Sequence, residues 1–152
     1  MRASILIAVI LFIVNISYAS AALDHAFLQR FADKYNNNID GAPDMLKELF
    51  GNERGELNVV MNNGSILQIG FEMKNARIVK THRGGISNPT IDIGITEGSV
   101  NIITRSNDKA AALQREIAAG RLTFNSKNQF TRTKLGLILS NASVLKFLGG
   151  IL

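Results

Sequence analysis

The chain has 152 residues, is 46% hydrophobic, contains neither cysteine nor tryptophan, and carries a formal charge of +5. That length suits one compact domain plus a targeting segment, and the missing cysteines exclude both disulfides and thiolate metal sites. Positive charge gathers in the second half: residues 22–73 hold eight acids and four basic residues, residues 74–152 four acids and twelve basic ones.

The basic residues stand singly among aliphatics, without the interleaved aromatics of a nucleic-acid platform, so no nucleic-acid partner is expected. Solvated charge is the plain reading, and attraction to an anionic membrane surface is the second.

Arg2 precedes an uncharged apolar run from Ile5 to Val14, and Ser17-Tyr18-Ala19 and Ala19-Ser20-Ala21 offer small residues where a signal peptidase cuts. Residues 1–21 are therefore expected to be a signal peptide and residues 22–152 one domain, secreted or associated with the cell envelope. An uncleaved anchor is the alternative, at the cost of burying Asn15 and Ser17.

Leu23, Ala26, Phe27, Phe31 and Tyr35 recur at helical spacing, and Asn36-Asn37-Asn38 is expected to stop that helix. Pro43 suits the first turn of a second helix, Asp44 to Phe50. Leu57 to Asn62 reads as a strand, Asn63-Gly64 as a hairpin turn, and Leu67 to Met73 as an alternating strand. With a turn near Lys74-Asn75 and a third strand from Ala76 to Thr81, an antiparallel meander is expected.

From Asn88 to Ser126 the hydrophobic period changes from two to helical and back. Thr90 to Ile95 alternates as a strand. Thr96 then offers an N-cap before Val100 and Ile103. Ser106, Asn107 and Asp108 can cap Lys109 to Ala119, with Leu113 and Ile117 four apart and Gly120 suited to a left-handed ending. Leu122 and Phe124 point one way in the next strand, Thr123 and Asn125 the other. Lys127 to Ser140 is expected to be helical, Asn141-Ala142-Ser143 to break or re-cap it, and Val144 to Leu152 to need a cover: the rest of the fold, a ligand, a second subunit or a membrane.

This order of strand, two helices, glycine and strand resembles the C-terminal half of the sterol carrier protein type 2 family. Gly120-Arg121-Leu122-Thr123-Phe124-Asn125-Ser126 stands where that family usually has Gly-Lys-Leu-Lys-apolar-Lys-Gly, with Thr123 and Asn125 not basic and Ser126 in place of the second glycine. More loosely, the resemblance covers Asp24 to Leu148. It implies an α+β fold in which a twisted five-stranded, mainly antiparallel sheet is covered by helices, with an apolar tunnel between them for sterols, fatty acyl chains or similar lipids. Carried over by position, the ligand-binding residues are Val100, Ile103, Leu113, Ile117, Phe124, Leu135, Leu139 and Leu148.

Catalytic signatures are missing from the sequence. His25 and His82 stand at no metal-ligand spacing, and there is no nucleophile elbow, phosphate loop or dinucleotide fingerprint. No cofactor is expected. Asn63-Gly64-Ser65 and Asn141-Ala142-Ser143 have the form of glycosylation sequons, a pattern that recurs by chance in an asparagine-rich chain, and Pro89 disqualifies Asn88. The sequence thus points to a non-enzymatic module that binds or transfers a hydrophobic small molecule or lipid. The alternative is a cell-envelope interaction module with a filled core and a docking C-terminal helix, since aliphatic residues at helical spacing are most often core.

Overall fold

The computed structural model describes residues 25–44, 47, 52–129, 133, 136 and 140–150, with side chains for all of these except 25–28, 31 and 148–150. The expected signal peptide, most of the expected Asp44 to Phe50 and Lys127 to Ser140 helices, and Leu135 and Leu139 lie outside the described residues. In chain order the elements are helix α1 (His25–Asn38), a 3-10 turn (Ile39–Gly41), strands β1 (Arg54–Val60), β2 (Ile66–Lys74), β3 (Arg77–Arg83) and β4 (Ile91–Thr96), helices α2 (Glu97–Arg105) and α3 (Lys109–Ala118), strand β5 (Leu122–Asn125) and helix α4 (Ala142–Gly150).

The five strands form one sheet in the order β3-β2-β1-β4-β5, antiparallel except where β4 runs parallel to β1. The expected α+β class with a five-stranded, mainly antiparallel sheet is the observed one. Alternation decides which face is buried. Gly55, Leu57 and Val59 of β1 stand in register with Ile91, Ile93 and Ile95 of β4, and with Phe71 and Ile69 of β2 for the first two. These residues form the core together with Leu122 of β5 and with Val100, Ile103, Leu113, Val144 and Leu145 from the helices. The opposite face carries Glu56, Asn58, Gln68, Glu72 and Asp92 at the intervening positions.

Local chemistry makes the turns. Asn75 and Ala76, at φ of 50° and 64°, form the β2–β3 turn in the left-handed region. A bulge opposite the Glu72 to Met73 step leaves Val79 as the extra residue, 61% exposed.

Helix α1 ends on the last residue of the asparagine run, Asn38, with Asn36 and Asn37 still helical. The reason is tertiary. Asn36 sits against edge strand β3, where its Nδ2 donates to Ile78 O at 2.9 Å and its Oδ1 accepts from Ile78 N at 2.8 Å. One side chain thereby fills the place of a neighbouring strand at the sheet edge. Tyr35, fully buried on the same helix, donates to Ala76 O at 2.7 Å.

Asn36→Ala should therefore leave both Ile78 backbone groups without this partner and cost about 1 to 3 kcal/mol. Denaturant unfolding and amide exchange at Ile78 check this. An unchanged midpoint with unchanged exchange at Ile78 would show that the pairing contributes nothing.

Candidate functional site

The helical layer over β4 and β5 is set by two caps. Thr96 Oγ1 accepts from Ser99 N at 3.1 Å, which starts α2 so that Val100 and Ile103 turn inward while Ile102 is 48% exposed. Asp108 Oδ1 accepts from Ala111 N at 2.9 Å and starts α3 with Ala112 and Leu113 inward. Gly120, at φ of 69°, ends α3 in the left-handed conformation and returns the chain to β5.

Of the eight residues expected to line a ligand site, Val100, Ile103 and Leu113 are 0% exposed and belong to one aliphatic core with Ile93, Ile95 and Leu122. Ile117 and Phe124 are half-buried and pack against that core from its margin, as does Phe147. Leu148 belongs to α4, but its side chain lies outside the described residues. Helix α4 packs on α3, and the Phe147 ring reaches Gly41, where an added Cβ would come 3.9 Å from it. Asn141 re-caps the chain for α4, its Oδ1 accepting from Ser143 N at 3.0 Å and Val144 N at 3.2 Å.

One polar group on this layer was not singled out by sequence reasoning. Glu116 is 1% exposed on the inward side of α3, and Arg121 forks onto it, Nε to Oε2 at 2.7 Å and a terminal nitrogen to Oε1 at 2.8 Å. Arg121 holds the Glu116 carboxyl below its ordinary value against the upward push of burial, with the Ser99 hydroxyl and Arg115 adding to the lowering. The signal was present: an acid three residues after Leu113, and an arginine straight after the helix-ending glycine.

The far face of the sheet is polar and internally bonded. Gln68 Nε2 donates to Asn58 Oδ1 at 2.9 Å, and Glu56 Oε2 accepts from Ile86 N at 3.0 Å. Residues 84–86 fold back against this face, since a Cβ on Gly70 would come 2.5 Å from Ile86 Cβ. His82 Nε2 lies 2.7 Å from Glu72 Oε1, and this bond holds the Glu72 carboxyl below its ordinary value. Asp92 moves the other way, raised by burial and then by Glu56 beside it in register.

A surface groove of about 360 Å³ opens where β2 runs on past the end of β3, lined by Ile66, Leu67, Gln68, Ile69, Arg83 and Gly84. None of the eight expected ligand residues lines it. Among the described residues no group of three or more histidines and carboxylates could hold a metal ion, and no helix is long and apolar enough to cross a membrane.

No protein-family model matches the chain, and no curated protein matches it. Similar solved structures include the sterol carrier protein domain 2 of Helicoverpa armigera, 17% identical with a TM-score of 0.47 over 75% of this chain and 86% of that one. Sterol carrier protein 2 of Yarrowia lipolytica, in its apo form, is 15% identical with a TM-score of 0.43, over 77% and 88%. Sterol carrier protein 2 like 2 of Aedes aegypti is 15% identical with a TM-score of 0.42, over 70% and 96%.

Proposed function

We propose that this chain is an exported, non-enzymatic carrier of a hydrophobic small molecule such as a sterol, a fatty acid or another lipid. The observation that supports it is the gradient of exposure across one aliphatic layer. Val100, Ile103 and Leu113 close its inner part, while Ile117, Phe124 and Phe147 stay half-buried at its margin. An acyl chain reaching this layer past Ile117 and Phe124 would meet mainly apolar side chains, with the buried Glu116 already paired to Arg121, and would gain about 0.8 kcal/mol per methylene before the costs of binding. Leu135, Leu139 and Leu148 are the further residues assigned to it. The apolar run Ile5 to Val14, taken as a leader, supports export, and exposed Lys127 and Lys146, with Arg132 and Lys134, are the residues assigned to anionic headgroups.

The complete burial of Val100, Ile103 and Leu113 favours the second reading, a filled core in a cell-envelope interaction module. Mass spectrometry of the gently purified mature protein separates the two. A co-purifying lipid, seen as a mass increment under native conditions and recovered in the organic extract, supports the carrier. A lipid-free native mass, with no uptake from added lipid, supports the interaction module.

A further inference from the structure

Asn63-Gly64-Ser65 occupies the tip of the β1–β2 hairpin, and all three residues are exposed. The turn is closed by Met61 N to Ser65 O and Gly64 N to Met61 O, each 2.9 Å, with Gly64 at φ of 83°. A Cβ built on Gly64 would have nothing within 4 Å, so the tip stands in open space. Asn63 Oδ1 accepts two bonds from Ser65, one from its N–H at 2.9 Å and one from its hydroxyl at 2.7 Å. Its Nδ2 has no hydrogen-bond partner among the described residues.

We propose that Asn63 is the acceptor of an N-linked oligosaccharide. The inference rests on the export reading, because the donor, an oligosaccharide carried on a lipid pyrophosphate, is met only on the secretory route. In the transfer, Asn63 Nδ2 bonds to the anomeric carbon of the first sugar as the bond from that carbon to the pyrophosphate oxygen breaks. The lipid pyrophosphate leaves with the electron pair, and the amide nitrogen gives up one proton. Asn63, Gly64 and Ser65 meet the Asn-x-Ser requirement, with no proline at the middle position.

A second observation bears on the same tip. Val60 and Ile66 are cross-strand partners at the hairpin end, 46% and 61% exposed. Such an apolar pair invites association when bare, and a glycan anchored at Asn63 would lie over it. Asn141 shares the bond from the N–H two residues on but differs in its surroundings. It is half-buried, and its Oδ1 is committed to capping α4, so a sugar on its side chain would disturb that cap.

The test expresses the full chain in a eukaryotic secretory cell, once with its own leader and once with a leader of established secretory function. Secreted protein is then compared before and after peptide N-glycosidase treatment. A mobility shift that disappears in Asn63→Gln and Ser65→Ala but survives in Ser65→Thr and Asn141→Gln is the expected result. Protein delivered by the substitute leader that shows no shift, or a shift that persists in Asn63→Gln, overturns the assignment. Glycosylation at Asn63 under the substitute leader alone would support the site while removing the export reading, so the two failures are told apart.

Discussion

Arg121→Met is expected to destabilise the protein through a residue it leaves untouched. Glu116 keeps its place on α3 with a side chain only 2% exposed, and loses the guanidinium that engages both carboxylate oxygens. Removing one partner of a fully buried pair costs about 3 to 5 kcal/mol, because the remaining charge is uncompensated. Here Arg121 is 49% exposed and water screens part of the attraction, so the unpaired Glu116 is expected to cost about 2 kcal/mol, read as a lower denaturant midpoint.

The pH dependence gives the cause away. In the native protein Glu116 is held below its ordinary value of 4.5, so its contribution is fully present above that pH and is lost as the pH falls through the lowered value. Without Arg121, burial pushes the carboxyl upward against only Ser99 and Arg115. The variant then loses stability as the pH rises through the raised value, which makes the gap between the two proteins widest at neutral pH and narrower on acidification. A gap independent of pH would assign the loss to packing instead. Arg121→Met combined with Glu116→Leu should recover much of the stability, since no charge is then left buried.

Gly55→Ala should have an effect of similar size by a different route. Gly55 and Phe71 face each other across β1 and β2, and a Cβ on Gly55 would overlap the Phe71 ring. That ring is 1% exposed within the core, where close packing resists its displacement. Overpacking of this kind costs about 1 to 3 kcal/mol, and we expect the upper end. Phe71→Leu removes the obstacle, so the double variant should be more stable than the sum of the two single losses implies. Additive losses in the unfolding cycle would mean that the new methyl group strains the strand backbone rather than the ring.

Features decided by neighbours in sequence were legible in advance. Thr96 and Asp108 cap the helices they precede, Gly120 turns the chain in the left-handed region, and Asn63-Gly64 makes the hairpin. Each answers a demand of the adjacent backbone.

What was missed depends on residues far away in the chain. Asn36 read only as part of a helix stop, because its amide competes for nearby backbone groups, yet its partner is Ile78, 42 positions on. Strand β1 begins at Arg54, ahead of the Leu57 start that alternation suggested, because its parallel pairing with β4 already holds at Gly55 and Ile91. Gly55 has no side chain to signal its inward position. In the candidate site, helical spacing found Val100, Ile103 and Leu113, but it does not distinguish a residue that lines a space from one that fills it. Glu116 was passed over because a single acid on an apolar helix face reveals itself only when its cation is also placed.

The most direct test of the carrier reading is a fluorescent fatty-acid titration of the delipidated mature protein and of Ile117→Phe, beside denaturant unfolding of both. Ile117 lies on the half-buried margin, where an added ring would occupy lipid space in a carrier and would crowd neighbours in a filled core. The carrier account predicts saturable binding by the wild type, weaker binding by Ile117→Phe, and nearly equal unfolding midpoints without ligand. No binding by the wild type, together with a loss of about 1 to 3 kcal/mol in Ile117→Phe, would contradict it.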